Sequence, residues 1–232
     1  MRPKDRLIVA LDMPNVDEAK ALIGKLGDSV GVYKIGLELL FSGGFELARE
    51  LARNGRRVFV DAKLLDIEAT VERATASIAR MGVEFLTIHA LDCKTLAAAV
   101  RGRGDSALKL LGVTVLTSLS SSDLIEQCID HPLPELVLHR AKFAKEAGLD
   151  GVIASGHEAA QIRKVAEPDF LIVTPGIRPE GAETQDQARA MTPKEAIAAG
   201  ADYLVAGRPI TRATDPRAAA QAIVAEIDAA FQ

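Results

Sequence analysis

The chain has 232 residues, of which 48% are hydrophobic and only 4% aromatic, with no tryptophan. This length can bury a sizeable core, and the composition favours an aliphatic α/β protein over a β-sandwich. The net charge is −4, and no basic patch interleaved with aromatic residues indicates nucleic-acid binding. An anionic ligand would therefore be held by a few local cations rather than by the field of the whole protein.

The N-terminal residues and the cysteines indicate the cellular compartment. Residues 1–6 are polar, no signal or transit segment is visible, and no apolar run has the length of a membrane span. Cys93 and Cys128 are isolated, so neither a disulfide framework nor a zinc site is expected. Free thiols are typical of a reducing compartment, and we expect a cytoplasmic protein without membrane association.

Eight short apolar runs recur along the chain, and most are continuous stretches of Val, Ile and Leu. Such runs are typical of parallel strands that are covered on both faces. They predict strands at residues 7–12, 30–36, 58–63, 85–90, 110–117, 151–156, 170–176 and 203–207. Patterns of helical period between them predict helices at residues 16–26, 45–54, 70–81, 134–147, 158–166, 193–199 and 216–231.

This alternation of strand and helix predicts an α/β fold, a (β/α)₈ TIM barrel, with residues 1–232 forming a single catalytic domain. A doubly wound open sheet is the alternative. It would need a glycine-rich phosphate-binding turn after the first strand, and residues 11–15 contain no glycine. Two connections, residues 118–133 and 177–190, are long for a barrel, and long loops of this kind supply active-site lids.

Polar or otherwise special residues close all eight predicted strands, and active sites of such barrels lie at these ends. They are Asp12, Lys34, Asp61 with Lys63, His89, Thr117, Ser155, Pro175 with Gly176, and Gly207 with Arg208. Asp61 and Lys63 alternate onto one face of the third strand. A solvated surface pair is the simpler interpretation of two such residues. The comparable residues at the neighbouring strand ends favour a charged catalytic array.

The position of Gly207 and Arg208 after the eighth predicted strand by itself favours a phosphate site. The loops after the seventh and eighth strands form the usual phosphate site of these barrels. Backbone N–H groups and an arginine fork supply the donors there.

The ordered set of motifs resembles the orotidine 5′-monophosphate decarboxylase family over nearly the whole chain. The D-x-K-x-x-D motif at Asp61, Lys63 and Asp66 is shared with related barrels, but its combination with the other segments is highly specific. Those segments are residues 8–12, 34–36, 113–118, 174–179 and 207–210. One departure is that the family usually reads Ile-Pro-Asn-Thr where residues 67–70 read Ile-Glu-Ala-Thr.

The resemblance implies decarboxylation of orotidine 5′-monophosphate to uridine 5′-monophosphate without a metal or organic cofactor. Lys63 would donate a proton to the C6 carbanion, beside Asp61 at the substrate carboxylate. Lys34 and Asp12 would hold the ribose and complete the charge array. Asp66 would reach, with Thr70, into the site of the partner subunit, which implies a homodimer with shared sites.

The same resemblance assigns the rest of the substrate site. Thr117 and Ser118 would meet the pyrimidine, and Arg178 would open a lid segment that carries Gln187. The phosphate would be gripped by Gln187, Gly207 and Arg208. The implied set of binding residues is completed by Ile67 and Pro175.

Two other functions remain open at this stage. A Mg²⁺-dependent sugar-phosphate decarboxylase or aldolase of the same barrel type also carries an Asp-x-Lys-x-x-Asp motif. It would need an acidic residue at the end of the second strand, where this chain has Lys34, a cation that would repel a metal. A non-catalytic barrel that binds a phosphorylated ligand would have no need for both Lys63 and Asp61.

Overall fold

Eight parallel strands close into a barrel in sequence order in a computed structural model that describes residues 1–180 and 190–231. The first strand pairs with the last, so that Ile8 lies opposite Val205. The strands are β1 Leu7–Ala10, β2 Val32–Ile35, β3 Arg57–Leu64, β4 Phe85–His89, β5 Lys109–Val113, β6 Gly151–Ile153, β7 Leu171–Thr174 and β8 Tyr203–Ala206. The predicted (β/α)₈ barrel is confirmed, and the open sheet is excluded.

Helices alternate with the strands and surround the barrel. They are α1 Val16–Leu26, α2 Leu37–Leu39, α3 Phe45–Arg53, α4 Glu68–Ala79, α5 Cys93–Arg103, α6 Ser121–Glu126, α7 Leu133–Glu146, α8 Gly156–Val165, α9 Pro193–Ala198, α10 Arg208–Thr211 and α11 Pro216–Asp228. A π-helical turn, Leu40–Gly44, joins α2 to α3, and 3₁₀ turns lie at Pro3–Arg6 and Ala229–Phe231. Within the described part of the chain, no helix is both long enough and apolar enough to cross a membrane.

Helix α5 is not among the helices that the periodicity predicts. Its buried face carries mainly small residues, including Ala98 and Ala99, so the apolar pattern has little contrast. Small residues are required there because α4 and α5 pack closely: a Cβ atom on Gly102 would lie 2.2 Å from the carbonyl oxygen of Glu72. The close contact between α4 and α5 is therefore possible only because Gly102 has no side chain.

Strand β5 is shorter than predicted, because its neighbour ends early. The prediction extends the strand to residue 117, whereas β5 ends at Val113. Its partner β6 stops at Ile153, two residues before Ser155 caps the next helix. Thr114 still uses its hydroxyl to donate to the Ile153 carbonyl at 2.9 Å. Residues 114–118 therefore form a loop at the carboxyl end of the barrel.

Inward-facing side chains fill the barrel from its amino-terminal end. Phe85 contacts Phe59 and Tyr203 edge to face, with ring centroids 5.8 and 5.2 Å apart. Below them, Arg57 Nη2 donates to Glu84 Oε1 at 2.8 Å and to Tyr203 Oη at 3.0 Å. The interior of an eight-stranded barrel is just wide enough for such side chains to fill it. This packing forms a rigid floor beneath the carboxyl-terminal strand ends.

Candidate active site

A cavity of about 520 Å³ opens at the carboxyl-terminal ends of the strands. Its floor is apolar and formed by Ala10, Phe59, Val113, Ile153 and Val205. The residues predicted from the sequence that line it are Asp12, Lys34, Asp61, Lys63, Thr117, Pro175, Arg178, Gly207 and Arg208. A cavity of this size that combines an apolar floor with convergent polar groups is typical of a small-molecule site.

Four alternating charges run across one side of the cavity. Lys34 Nζ lies 3.1 Å from Asp12 Oδ1 and 3.2 Å from Asp61 Oδ2. Lys63 Nζ lies 2.8 Å from Asp61 Oδ1. Lys34 and Asp61 are each only 8% exposed, whereas the Lys63 side chain is 29% exposed and faces the cavity. The array therefore has a buried centre and an accessible ammonium at its end.

Mutual attraction keeps the buried pair of this array charged. Burial disfavours the charged form of Asp61, but Lys34, Lys63 and two hydrogen bonds outweigh it and hold the pKa of Asp61 below its usual value. Burial likewise opposes the charge of Lys34, yet Asp61 and Asp12 raise the pKa of Lys34. Opposite charges within about 4–6 Å favour the ionised forms in this way. A carboxylate and an ammonium thus coexist at neutral pH.

Close approach of the backbone at the end of β2 makes room for this array. A Cβ atom on Gly36 would lie 2.8 Å from Asp12 Oδ1 and 3.0 Å from Lys34 Nζ. A side chain at this position would displace the ion pair. The glycine of the Lys-Ile-Gly segment is therefore explained by its proximity to the Asp12–Lys34 pair.

The backbone of β3 is irregular where it presents Lys63. The pairing of β3 with β4 shifts register between Val60 and Leu64, and Lys63 has a φ of 47°. The N–H of Lys63 donates to Thr87 Oγ1 at 3.0 Å, and the same hydroxyl donates to Asp61 Oδ1 at 2.8 Å. Bulges next to active sites re-aim a side chain in this manner.

Thr87 was not among the residues predicted from the sequence, although its position in the strand pattern could have indicated it. It lies two residues before His89, on the same inward face of β4, and is fully buried. A buried hydroxyl one step below a polar strand end needs a hydrogen-bond partner inside the barrel.

Two further basic residues, His89 and Arg140, lie near this end of the barrel. Burial and the positive charges of Lys63 and Arg140 lower the pKa of His89, so its ring is neutral at pH 7. Arg140, on helix α7, donates to the Thr114 carbonyl at 2.6 Å, at the base of the loop that follows β5. The sequence pattern of α7 gave no signal for this contact, because it depends on how the helix is oriented against the barrel.

The opposite side of the cavity offers arginine side chains and strand-end glycines. Gly207 directly follows β8, and Arg208 begins α10. Arg178 is buried and donates from Nη1 to the Ile177 carbonyl at 2.9 Å, while its N–H donates to the Met191 carbonyl. Arg212 also lines this side and was not predicted. Cationic donors at this end of a barrel are suited to a phosphate group.

Some of the predicted site residues do not line the cavity of their own chain. Asp66 is exposed and accepts a hydrogen bond from the Ile67 N–H at 2.6 Å, and Ile67 is itself 72% exposed. Thr70 is half-buried on α4, and Ser118 is exposed in the loop after β5. Gln187 lies outside the described residues.

The donor set of the array does not suit a divalent cation. Asp12 and Asp61 are the carboxylates nearest the centre, and the Lys34 ammonium lies between them. Among residues 1–180 and 190–231, no group of three or more His, Cys, Asp or Glu side chains could hold a metal ion.

The fold and the cavity define a (β/α)₈ barrel that binds a small molecule, with a charged array on one side and arginines on the other. Residues 5–223 match the model of the orotidine 5′-phosphate decarboxylase / HUMPS family. The chain belongs to this family.

Individual relatives are similar over almost the full length of both chains. An orotidine 5′-phosphate decarboxylase of Methylobacterium nodulans is 54% identical over 98% of this chain and 98% of its own. One of Caulobacter vibrioides is 51% identical over 98% and 99%. The crystal structure of orotidine 5′-phosphate decarboxylase from Lactobacillus acidophilus superposes with a TM-score of 0.84 at 40% identity, covering 96% of this chain and 98% of the other.

Proposed function

We propose that this chain decarboxylates orotidine 5′-monophosphate to uridine 5′-monophosphate, the last step of de novo pyrimidine nucleotide synthesis. The observation that carries the proposal is the Lys63 ammonium, held 2.8 Å from the buried Asp61 in a cavity whose far side presents Arg208. The names of the full-length relatives support the same reaction.

The reaction requires strong electrostatic stabilisation. Loss of CO₂ breaks the bond between C6 and the carboxylate and leaves the electron pair on C6, where no adjacent carbonyl can delocalise it. A positive charge fixed in a dry cavity stabilises such developing charge with little reorganisation. Lys63 is suited to this role, and transfer of a proton from its Nζ to C6 then completes the uracil ring. The partial exposure of Lys63 lets the resulting amine regain a proton from solvent.

Asp61 acts in this proposal on the substrate carboxylate. Two carboxylates placed side by side repel each other, and this repulsion disappears when neutral CO₂ leaves. The pKa of Asp61 lies below its usual value, so the residue is ionised when substrate binds. Lys34, held between Asp12 and Asp61, keeps the array nearly neutral overall and, with Asp12, binds the ribose hydroxyls.

The remaining contacts bind the ends of the nucleotide. Thr117 and Ser118 lie in the loop after β5 and face the pyrimidine in this proposal, with Pro175 opposite. Gly207 and Arg208 bind the phosphate together with Gln187, and Arg178 begins the segment that carries Gln187. Binding energy from a remote phosphate can be used at the reacting carbon, which raises kcat.

We further infer that the active form is a homodimer in which each site is completed by Asp66 and Thr70 of the partner subunit. The exposure of Asp66 outside its own cavity supports this arrangement. It is flanked by the exposed apolar residues Leu65 and Ile67, which a second copy would cover. Closed two-fold dimers bury the same patch on both subunits.

We also propose a cytoplasmic location for the enzyme. The two cysteines, Cys93 and Cys128, are both free and exposed, as is usual for proteins of a reducing compartment. Cell fractionation with an antibody against the chain would test this, and recovery in a membrane or secreted fraction would contradict it.

Purified protein and orotidine 5′-monophosphate provide the direct test of function. We expect the ultraviolet absorbance of the orotate ring to change to that of uracil, with one uridine 5′-monophosphate formed per substrate consumed. Binding of the nucleotide without turnover would favour a non-catalytic barrel. Turnover of a sugar phosphate that requires Mg²⁺, with no turnover of orotidine 5′-monophosphate, would favour the metal-dependent relative, which the position of Lys34 argues against.

A further inference from the structure

The hydroxyl of Thr87 connects the two residues that are proposed to act at C6. Thr87 lies on β4 and is fully buried beneath the cavity, whose lining does not include it. Its Oγ1 accepts from the Lys63 N–H at 3.0 Å and donates to Asp61 Oδ1 at 2.8 Å. A hydroxyl carries one donor, and here the donor serves the carboxylate while a lone pair serves the backbone. Both hydrogen bonds therefore serve the catalytic array.

The backbone at Lys63 needs such support. A non-glycine residue in the left-handed region is disfavoured by about 1–3 kcal/mol and persists only where its surroundings hold it. Lys63 has a φ of 47° at the point where β3 and β4 shift register. The hydrogen bond to Thr87 replaces the regular pairing that this shift removes. The direction of the Lys63 side chain is thus tied to the neighbouring strand.

The carboxylate of Asp61 is oriented by the same hydroxyl. Its Oδ2 faces Lys34, while its Oδ1 receives both Lys63 Nζ and the Thr87 hydroxyl. Long lysine side chains can rotate, whereas a β-branched threonine has few rotamers. Thr87 is therefore the most rigid of the three donors to this carboxylate.

We propose that Thr87 is a positioning residue for the decarboxylation: its hydroxyl fixes the Lys63 backbone and the Asp61 carboxylate relative to each other. The inference rests on the proposed function of the site. Thr87 acts through these two residues and does not itself line the cavity. Misplacement of catalytic groups by about 1 Å can cost about a hundredfold in rate.

Three variants of Thr87 and one control variant separate the effect of the Thr87 hydroxyl from that of side-chain packing. Thr87→Val keeps the shape and removes the hydroxyl, and Thr87→Ser keeps the hydroxyl and removes a methyl group. Thr87→Ala, compared with Thr87→Ser, differs only in the hydroxyl. Thr75→Val is the matched control, because Thr75 is equally buried on α4 and its hydroxyl has no hydrogen-bond partner among the described residues.

We expect Thr87→Val to lower kcat about 10- to 100-fold, as for loss of a hydrogen bond to a charged group. KM should change by less than about threefold, since the nucleotide contacts are untouched. Thr87→Ser should retain most of kcat and exceed Thr87→Ala by about tenfold or more. Thr75→Val should match wild type, and thermal denaturation should show all variants folded.

The pH profile of kcat/KM gives a readout that a packing role would not change. Thr87 stabilises the ionised form of Asp61, so its removal should move the acidic limb to higher pH. The other charged or titratable groups that face this carboxylate are Lys34 and Lys63, with His89 and Asp12 beyond them. These groups are the same in Thr87→Val and in wild type, so a shift of the acidic limb reports the loss of the Thr87 hydroxyl.

Two results would overturn the role of Thr87 while leaving the proposed function intact. These are an active wild type with a Thr87→Val variant of similar kcat, or equal losses in Thr87→Ser and Thr87→Ala. The second comparison remains decisive if Thr87→Val does not fold. A wild type with no turnover of orotidine 5′-monophosphate would overturn both proposals.

Discussion

Replacing Lys63 by alanine removes the more exposed of the two ammonium groups of the array, at the position where we propose that C6 reacts. Its ammonium lies 2.8 Å from Asp61 Oδ1, and its side chain is 29% exposed. Asp61 keeps two partners in this variant, Lys34 Nζ at 3.2 Å and the Thr87 hydroxyl at 2.8 Å. The truncation therefore leaves no isolated buried charge, and we expect the barrel to remain folded.

The size of the effect follows from the charge that is lost. Two unit charges about 4 Å apart interact by about 4 kcal/mol at an effective dielectric constant of about 20. Loss of this stabilisation from the carbanion-like transition state lowers kcat about a thousandfold. Loss of the proton donor adds to this figure, so a thousandfold is the minimum expected. KM for orotidine 5′-monophosphate should change far less than kcat.

Steady-state decarboxylation by Lys63→Ala is compared with that of Lys20→Ala, which removes a surface lysine paired with Glu50 at 2.7 Å. The control should retain wild-type kcat, and circular dichroism should show both variants folded. A Lys63→Ala enzyme that keeps a tenth of the wild-type rate would refute the assignment of Lys63 as proton donor. It would also show that the field of the array is not the main source of stabilisation.

Three further outcomes are expected. EDTA should leave decarboxylation unchanged, and loss of activity restored by Mg²⁺ would favour the metal-dependent relative. Arg208→Ala should raise KM and lower kcat/KM for the phosphorylated substrate while barely affecting turnover of the bare nucleoside, and equal losses on both substrates would indicate a structural role. Mixing Lys63→Ala with Asp66→Ala should restore activity, because random exchange makes half the dimers mixed and about a quarter of all sites intact. No recovery despite demonstrated subunit exchange would place Asp66 outside the partner's site.

The sequence by itself determined the class of fold and many of the residues that line the cavity. Continuous apolar runs that alternate with helical patterns indicate parallel strands whose two faces are both covered. A closed barrel surrounded by helices covers both faces of every strand. The strand ends then identified Lys34, Asp61 and Arg208 as residues of one site, because all parallel strands of a barrel end on the same face. These conclusions depend only on local periodicity and on the direction of the chain.

Only the tertiary structure decided features that depend on pairing between elements. The sequence places the Thr87 hydroxyl on the same face of its strand as His89, but its partners on Lys63 and Asp61 are defined only when β4 lies beside the irregular end of β3. Helix α5 is defined by its close contact with α4 at Gly102, and β5 ends where its neighbour β6 ends. The left-handed backbone of Lys63 likewise depends on the register of two strands. A single segment holds no information on such contacts, because the residues that form them are distant in the sequence.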